Sequence, residues 1–286
     1  MKYKYKYTDK KIVIAGSNVE VSLYDGDVHA YDLHIPRTPR YKEPIPDDET
    51  EQQKAYRLEE ERLKKINSRR RSMLHSKSSV IRLVNSNIWR YFKDDGKPYI
   101  PIFLTLTFAD DIKDIKQANY IFAKFLKRLN YEVIGEKKGF LKYVAVIEFQ
   151  DKNDRGVIHY HVVFFNLKFI WADTMASIWG EGFIKIKKIG KLKNIGTYIT
   201  KYMSKNFEDA RLDGKKRYFP SLGLYKPKVF LEQQQVNEIY KNLPKKYIIK
   251  ERDYWSRYDQ WVKVVEYVLP RERRVDNNLE NFYDLP

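Results

Sequence analysis

The sequence predicts an α+β fold, an antiparallel ferredoxin/RRM-like sheet with helices packed against it, and three observations carry that expectation. Between residues 101 and 206, strand-like apolar runs alternate with helical stretches in the order β, α, β, β, α, β, α. Two of those runs, 141–150 and 157–165, flank a polar stretch at 151–156 and read as a hairpin. The chain has no cysteine, so no disulfide framework holds it, and its hydrophobic content of 43% is ample for a packed core.

The elements follow in order. Residues 11–15 and 19–24 read as strands flanking Gly16, Ser17 and Asn18, a hairpin signal. The first seven residues alternate lysine and tyrosine, which suits a strand facing nucleic acid and equally a solvated edge strand guarded by lysine. Pro36, Pro39, Pro44 and Pro46 mark 36–47 as an extended linker. Residues 48 to about 70 read as a charged helix with acids at its start and Arg69, Arg70 and Arg71 at its end, matching the helix dipole. Those arginines are candidate phosphate contacts; an ordinary solvated helix end explains them equally well. A second helix is expected near 78–92, with Val80, Ile81, Val84, Ile88, Trp89 and Phe92 at helical spacing.

Residues 101–108 read as a buried strand, and 114–130 as a helix with Ala118, Ile121, Phe122, Phe125, Leu126 and Leu129 on one stripe. A short helix is expected at 172–179, then a strand at 182–189 whose basic face carries Lys185 and Lys187. With all helices on one side, the sheet's other face would be free for metal and DNA. Residues 231–286 read as a helical accessory segment, with a helix near 231–243 and an aromatic amphipathic stretch at 254–269. The expected organisation is thus an accessory segment at 1–80, a catalytic domain at 81–230 and a C-terminal accessory segment at 231–286.

Bulk charge narrows the function. The net charge of +17, with a pI near 9.6, points to a polyanionic partner, nucleic acid rather than membrane. No stretch approaches the ~20 apolar residues of a membrane-spanning helix. The N-terminus lacks the apolar core of a signal peptide. No Gly-x-x-x-x-Gly-Lys-Ser/Thr occurs, which excludes a P-loop NTPase or fused helicase.

Two constellations carry chemistry. His159 and His161 alternate on the second hairpin strand and so share a face. Glu148 on the preceding strand can face the same rings, and Gln150 shares its face as a rival third ligand. Two imidazoles and a carboxylate, with positions left for water and substrate, suit a catalytic divalent metal. Downstream, Tyr198 and Tyr202 are four apart on an expected helix, and Lys201 and Lys205 repeat that spacing. A phenol with a pKa of about 10 is a poor nucleophile near neutral pH, and a nearby lysine or a metal-polarised phosphate would help it attack.

Taken in order, the motifs resemble those of the HUH endonucleases, specifically the rolling-circle replication initiators (Rep) of plasmids and small single-stranded DNA phages. The resemblance rests on the 103–108 strand (Phe-Leu-Thr-Leu-Thr-Phe), on His159-Tyr160-His161, and on Tyr198-x-x-Lys201-Tyr202-x-x-Lys205. A softer echo is the basic stretch from Lys215, Lys216 and Arg217 through Ser221-x-x-Leu224-x-x-Pro227. It covers roughly residues 80 to 230.

The resemblance implies an HUH fold and a metal-dependent, strand-specific DNA nickase and strand transferase. Glu148, His159 and His161 would hold Mn²⁺ or Mg²⁺, and Tyr198 or Tyr202 would form a 5′-phosphotyrosine bond and leave a free 3′-OH. Lys201 or Lys205 would steady phenolate or phosphate. Arg69, Arg70, Arg71, Lys185, Lys187, Lys215, Lys216 and Arg217 are the candidate DNA contacts. The implied partners are single-stranded DNA at a replication origin, extended or as a hairpin, and a host polymerase and helicase, in the cytoplasm of a plasmid's or phage's host cell. A transposase or relaxase with the same chemistry, and a non-catalytic single-strand binder with a basic, aromatic sheet, are the competing readings.

Overall fold

The computed structural model describes residues 6–30, 49–135, 139–151, 156–190, 192, 194–203, 210–256 and 260–270. Its elements are β1 (Lys6–Ala15), β2 (Asn18–Ala30), α1 (Glu51–Asn87), β3 (Ile102–Thr107), α2 (Ile115–Ile134), β4 (Tyr143–Gln150), β5 (Val157–Phe164), α3 (Ala172–Trp179), β6 (Ile184–Lys188), α4 (Ile195–Thr200), β7 (Tyr218–Pro220), β8 (Lys228–Phe230), α5 (Gln233–Asn242), β9 (Ile248–Trp255) and β10 (Trp261–Val268). They form two compact units, Leu63–Lys226 and the combination of Met1–Arg62 with Pro227–Pro286.

The first of these units is built on a five-stranded sheet in the order β6-β3-β5-β4-β7. Every neighbouring pair is antiparallel. Renumbered along the chain, the first four strands lie in the order 4-1-3-2, the split βαβ arrangement of the ferredoxin-like fold. The expected α+β class and antiparallel sheet are therefore what the chain adopts.

One face of this sheet is closed by α2 and α3. The Asp114 side chain caps α2 by accepting from the Gln117 backbone N–H at 2.7 Å. The stripe of Ala118, Phe122, Phe125 and Leu129 then meets Leu104, Leu106, Ile158, Tyr160, Val162 and Phe164 from the strands. Phe122 stacks on Tyr160 with centroids 4.3 Å apart. The Tyr160 hydroxyl donates to Asn119 Oδ1 at 2.7 Å, so its one buried polar group is satisfied.

The opposite face is not free, contrary to the sequence-based expectation. Met73, Val80, Val84 and Ile88 of the α1 segment, with Ile195 and Ile199 of α4, pack on Phe103, Val144, Val146 and Val163. Only one end of that face stays open. The reason is α1 itself. Residues 51–87 contain neither glycine nor proline, so nothing breaks the helix, and the two expected helices form one of 37 residues. Its C-terminal half carries the apolar stripe onto the sheet. Arg69, Arg70 and Arg71 consequently lie in the helix interior, and the dipole argument made for them does not apply.

The second unit holds another five-stranded sheet, β8-β1-β2-β10-β9. The β1–β2 hairpin forms as expected, closed at Ala15↔Asn18. The C-terminal segment is helical only in α5. Residues Ile248–Trp255 and Trp261–Val268 are strands, and β10 pairs with β2 along nearly its whole length. The alternation of Val262, Val264, Glu266 and Val268 with Lys263, Val265 and Tyr267 is a period-two pattern, and burial follows the sheet faces. Val236 and Ile239 of α5 pack on Ile12, Ile14, Val19, Val21, Val265 and Tyr267. The proline linker at 36–47 and the tail beyond 270 lie outside the described residues.

Candidate metal centre and tyrosine pair

The strand register assembles the site. His159 lies opposite Glu148 on β4 and opposite Thr107 on β3. His161 lies one step along, opposite Thr105 and Val146. Because paired residues project to the same side, Thr105, Thr107, His159, His161 and Glu148 share one face. Ligand atoms of Glu148, His159 and His161 all fall within 4.8 Å of one another. Gln150 is across from Val157, one step further out than the Glu148–His159 pair.

The imidazole of His161 is held from both sides. Its Nδ1 is 3.1 Å from Thr105 Oγ1, and its Nε2 is 2.7 Å from Glu148 Oε2. The ring is only 3% exposed, whereas the Glu148 side chain is 37% exposed. The donor set fits a divalent cation. It offers nitrogen and oxygen atoms only, it carries one negative charge, and Thr105 fixes the ring nitrogen of His161 that faces away from Glu148. Bonds of about 2.0–2.2 Å from each ligand to one ion need only small side-chain rotations from this arrangement.

The tyrosines arrive from α4. This helix is shorter than expected, and Lys201, Tyr202 and Met203 continue it as a turn. Asn194 caps it, with its Oδ1 accepting from the Thr197 N–H at 2.9 Å. Asn85 of α1 reaches the same place. Its amide donates to Asn194 Oδ1 at 3.2 Å, and its Oδ1 accepts from the Gly196 N–H at 3.1 Å. A Cβ at Gly196 would lie 2.5 Å from the Ile81 carbonyl oxygen, so only glycine allows α4 to sit this close to α1.

Tyr202 stacks on His161 with ring centroids 3.9 Å apart, and its hydroxyl donates to that of Tyr198 at 3.3 Å. Phe103 completes the cluster, 5.1 Å from Tyr198 and 5.3 Å from Tyr202 between centroids. Burial, then the Tyr198 hydroxyl and the Glu148 carboxylate, push the Tyr202 phenol up to about 12. Glu148 acts on this phenol through its charge, so tyrosine pair and ligand cluster form one electrostatic unit. Lys201 Nζ lies 5.8 Å from the centre of the Tyr198 ring. Lys205 lies outside the described residues.

The candidate DNA contacts divide. Lys185 pairs with Thr105 and Lys187 with Phe103, so both share the site's face, and both are exposed. Arg69 is engaged by Asp213, Nη2 to Oδ2 at 2.6 Å, which brings the 69–71 cluster beside the turn that carries Lys215 and Lys216. Arg70, Arg71, Lys215 and Lys216 are exposed. Arg217 is buried, at 8% exposure. Sequence reasoning does not single out Thr105, Asn85 or Asn194. A signal for Thr105 exists, because the alternating threonines of the 103–108 strand match the alternation of the histidines. Asn85 and Asn194 are 109 positions apart and carry no local signal.

Residues 101–207 match a family model of replication-associated proteins, the ORF2 type, consistent with a Rep-type rolling-circle replication initiator. The matched segment contains strands β3 to β6, the three candidate ligands and both tyrosines, and supports a general role in replication initiation. No curated protein and no solved structure matches the chain. Among the described residues, no helix is long and apolar enough to cross a membrane.

Proposed function

We propose that the chain initiates rolling-circle DNA replication by nicking and rejoining one DNA strand through a tyrosine. The observation that carries this reading is the contact of Tyr202 with His161, 3.9 Å between rings, which sets a paired phenol against the candidate ligand cluster. Glu148, His159 and His161 would hold Mn²⁺ or Mg²⁺. The ion would supply Lewis-acid polarisation of the scissile phosphate and offset the charge gathering on it.

The protein's own residues supply the rest. One phenol oxygen forms a bond to phosphorus as the bond to the 3′-oxygen breaks, giving a 5′-phosphotyrosine and a free 3′-OH. A phenol pushed up to about 12 is protonated near neutral pH, so attack requires positive charge close by. The hydroxyl–hydroxyl bond offers a route for moving a proton between the two tyrosines. Lys201, beside the Tyr198 ring, is placed to favour its phenolate, and Lys205 is the corresponding residue for Tyr202. Two phenols allow one to keep a DNA end while the other cuts again. Because the covalent bond stores the phosphodiester energy, rejoining needs no nucleotide hydrolysis, in keeping with the missing P-loop.

In this reading the 3′-OH is extended by a host polymerase behind a host helicase, in the cytoplasm of the cell that carries the plasmid or phage. The test is incubation with circular single-stranded DNA and Mn²⁺, with and without EDTA, read on a denaturing protein gel. A slower, nuclease-sensitive species that requires metal is expected. No such species with any divalent metal, together with unchanged single-strand affinity in His159→Ala, would leave a non-catalytic binder.

A further inference from the structure

The edge strand β6 carries an exposed aromatic in line with the candidate metal centre. Thr107 donates to the Phe183 carbonyl from its backbone N–H at 2.9 Å and from its hydroxyl at 2.8 Å. Leu106 pairs with Ile184, so Phe183 takes the next place in register, opposite Thr107. A single row then crosses the sheet, Phe183–Thr107–His159–Glu148. Phe183 is two strands from His159, about 10 Å at the usual spacing. It lies at the open end of the face, beyond the part that α4 covers.

A ring 73% exposed gains nothing from folding by burial, yet its backbone is fixed on both sides. Besides the two Thr107 bonds, the Ala109 N–H donates to the Glu181 carbonyl at 2.8 Å. A Cβ at Gly182 would lie 2.5 Å from Ala109 N and 2.6 Å from Thr107 O, so only glycine permits this close approach to β3. The ring is therefore presented on a rigid strand. On the same face of that strand stand Lys185 and Lys187, both exposed.

We propose that Phe183 is a stacking platform for a nucleobase next to the scissile phosphate, with Lys185 and Lys187 gripping the adjoining phosphates, so that β6 guides single-stranded DNA into the centre. This deepens the nicking reading and rests on it. Base–aromatic stacking needs an open ring face and tolerates any base, and cations alongside such a ring are what a backbone-tracking groove requires. The alternation of the strand supplies both, an aromatic and two lysines on one side of an edge that has no further strand beyond it among the described residues.

The test uses the full chain with a 20-nucleotide oligo(dT) in which single thymines are replaced by 5-iododeoxyuridine. Binding is measured in EDTA by fluorescence anisotropy, and irradiation followed by digestion and mass spectrometry locates the crosslink. The crosslinked peptide should contain Phe183. Phe183→Ala should weaken binding about tenfold, or ~1.4 kcal/mol. Phe183→Leu, apolar without a π-face, should behave like alanine, and Phe183→Trp should stay near wild type. Because the ring is exposed, all three variants should melt like wild type. If the wild type forms the metal-dependent tyrosine adduct while Phe183→Ala binds normally and no crosslink reaches Phe183, the stacking proposal is wrong and the nicking reading stands. If Phe183 crosslinks and its loss weakens binding but no adduct forms with any metal, the contact holds and the nicking reading is wrong. Failure to bind single strands at all overturns both.

Discussion

Tyr160 and His161 are neighbours on β5, yet they belong to opposite faces of one sheet and to opposite kinds of environment. Tyr160 is fully buried between Phe122 and Phe108, and its hydroxyl has a single protein partner. His161 is nearly as buried, but both ring nitrogens meet polar groups, and its flat face carries Tyr202. The closed face is a core that asks only for volume and a satisfied hydroxyl. The other face is a core that thins toward one end, where threonines, histidines and a carboxylate replace valines. Strand alternation lets a single β-strand serve both, and the depth of burial alone does not tell a structural residue from a functional one.

The comparison is broken most severely at the tyrosine pair. Tyr198→Phe with Tyr202→Phe together should reduce covalent adduct formation by at least about 10³-fold, measured by gel shift under denaturing conditions, with little change in melting temperature. Retained adduct in the double variant would remove the tyrosine mechanism. On the closed face the effects should invert. Phe125→Ala, emptying a fully buried ring site, should cost about 3–5 kcal/mol in urea unfolding. His159→Ala, half-buried, should cost far less than that, but it should abolish the rise in melting temperature that Mn²⁺ gives the wild type.

Alkaline titration sharpens the contrast further. Burial raises the Tyr160 phenol on the closed face well above its ordinary value, and burial followed by Tyr225 raises Tyr91 to about 12. In the unfolded chain these phenols ionise near pH 10. A raised folded pKa means that the folded state holds the proton more tightly. Its contribution is therefore complete below pH 10 and is lost as the pH rises through 10 toward 12. Unfolding followed by circular dichroism should show stability falling across that window, and Tyr160→Phe should flatten the fall. A flat profile in the wild type would contradict this account.

The smallest effect expected is at the junction between α1 and α4. Asn194→Ala removes the cap and should cost about 1 kcal/mol in urea unfolding. Asn85→Ala leaves the Gly196 N–H without its buried acceptor and should cost about 1–3 kcal/mol. Both should slow adduct formation without altering single-strand affinity, because each acts on the placing of Tyr198 and Tyr202.

Much of the site is legible in the sequence because its pieces are local. The spacing of His159 and His161 fixes a shared face once the segment is a strand, and the run of apolar residues makes it one. Glu148 joins them through a hairpin, the shortest-range tertiary contact a sheet has. Lys185 and Lys187 are readable for the same reason. Phe183 is not, because a lone aromatic at a strand's start reads as core, and only its 73% exposure says otherwise. The expectation of two helices between 48 and 92 fails in the stretch that joins them. Serines at 72, 76, 78 and 79 weaken the helical pattern there, but serine lowers helix propensity without stopping a helix.

The sequence by itself determined the central βαββαβ order, the face on which the histidines lie and the stripe of α2, since each depends on periodicity within a few turns or residues of chain. Only the tertiary structure decided which strands from the two ends of the chain would share a sheet. It alone laid α1 across the face expected to be open, and brought Asn85 to the start of the tyrosine helix. Those outcomes join residues that are distant in the chain, and their register is set by the fit of apolar surfaces and buried amides, which no local pattern records.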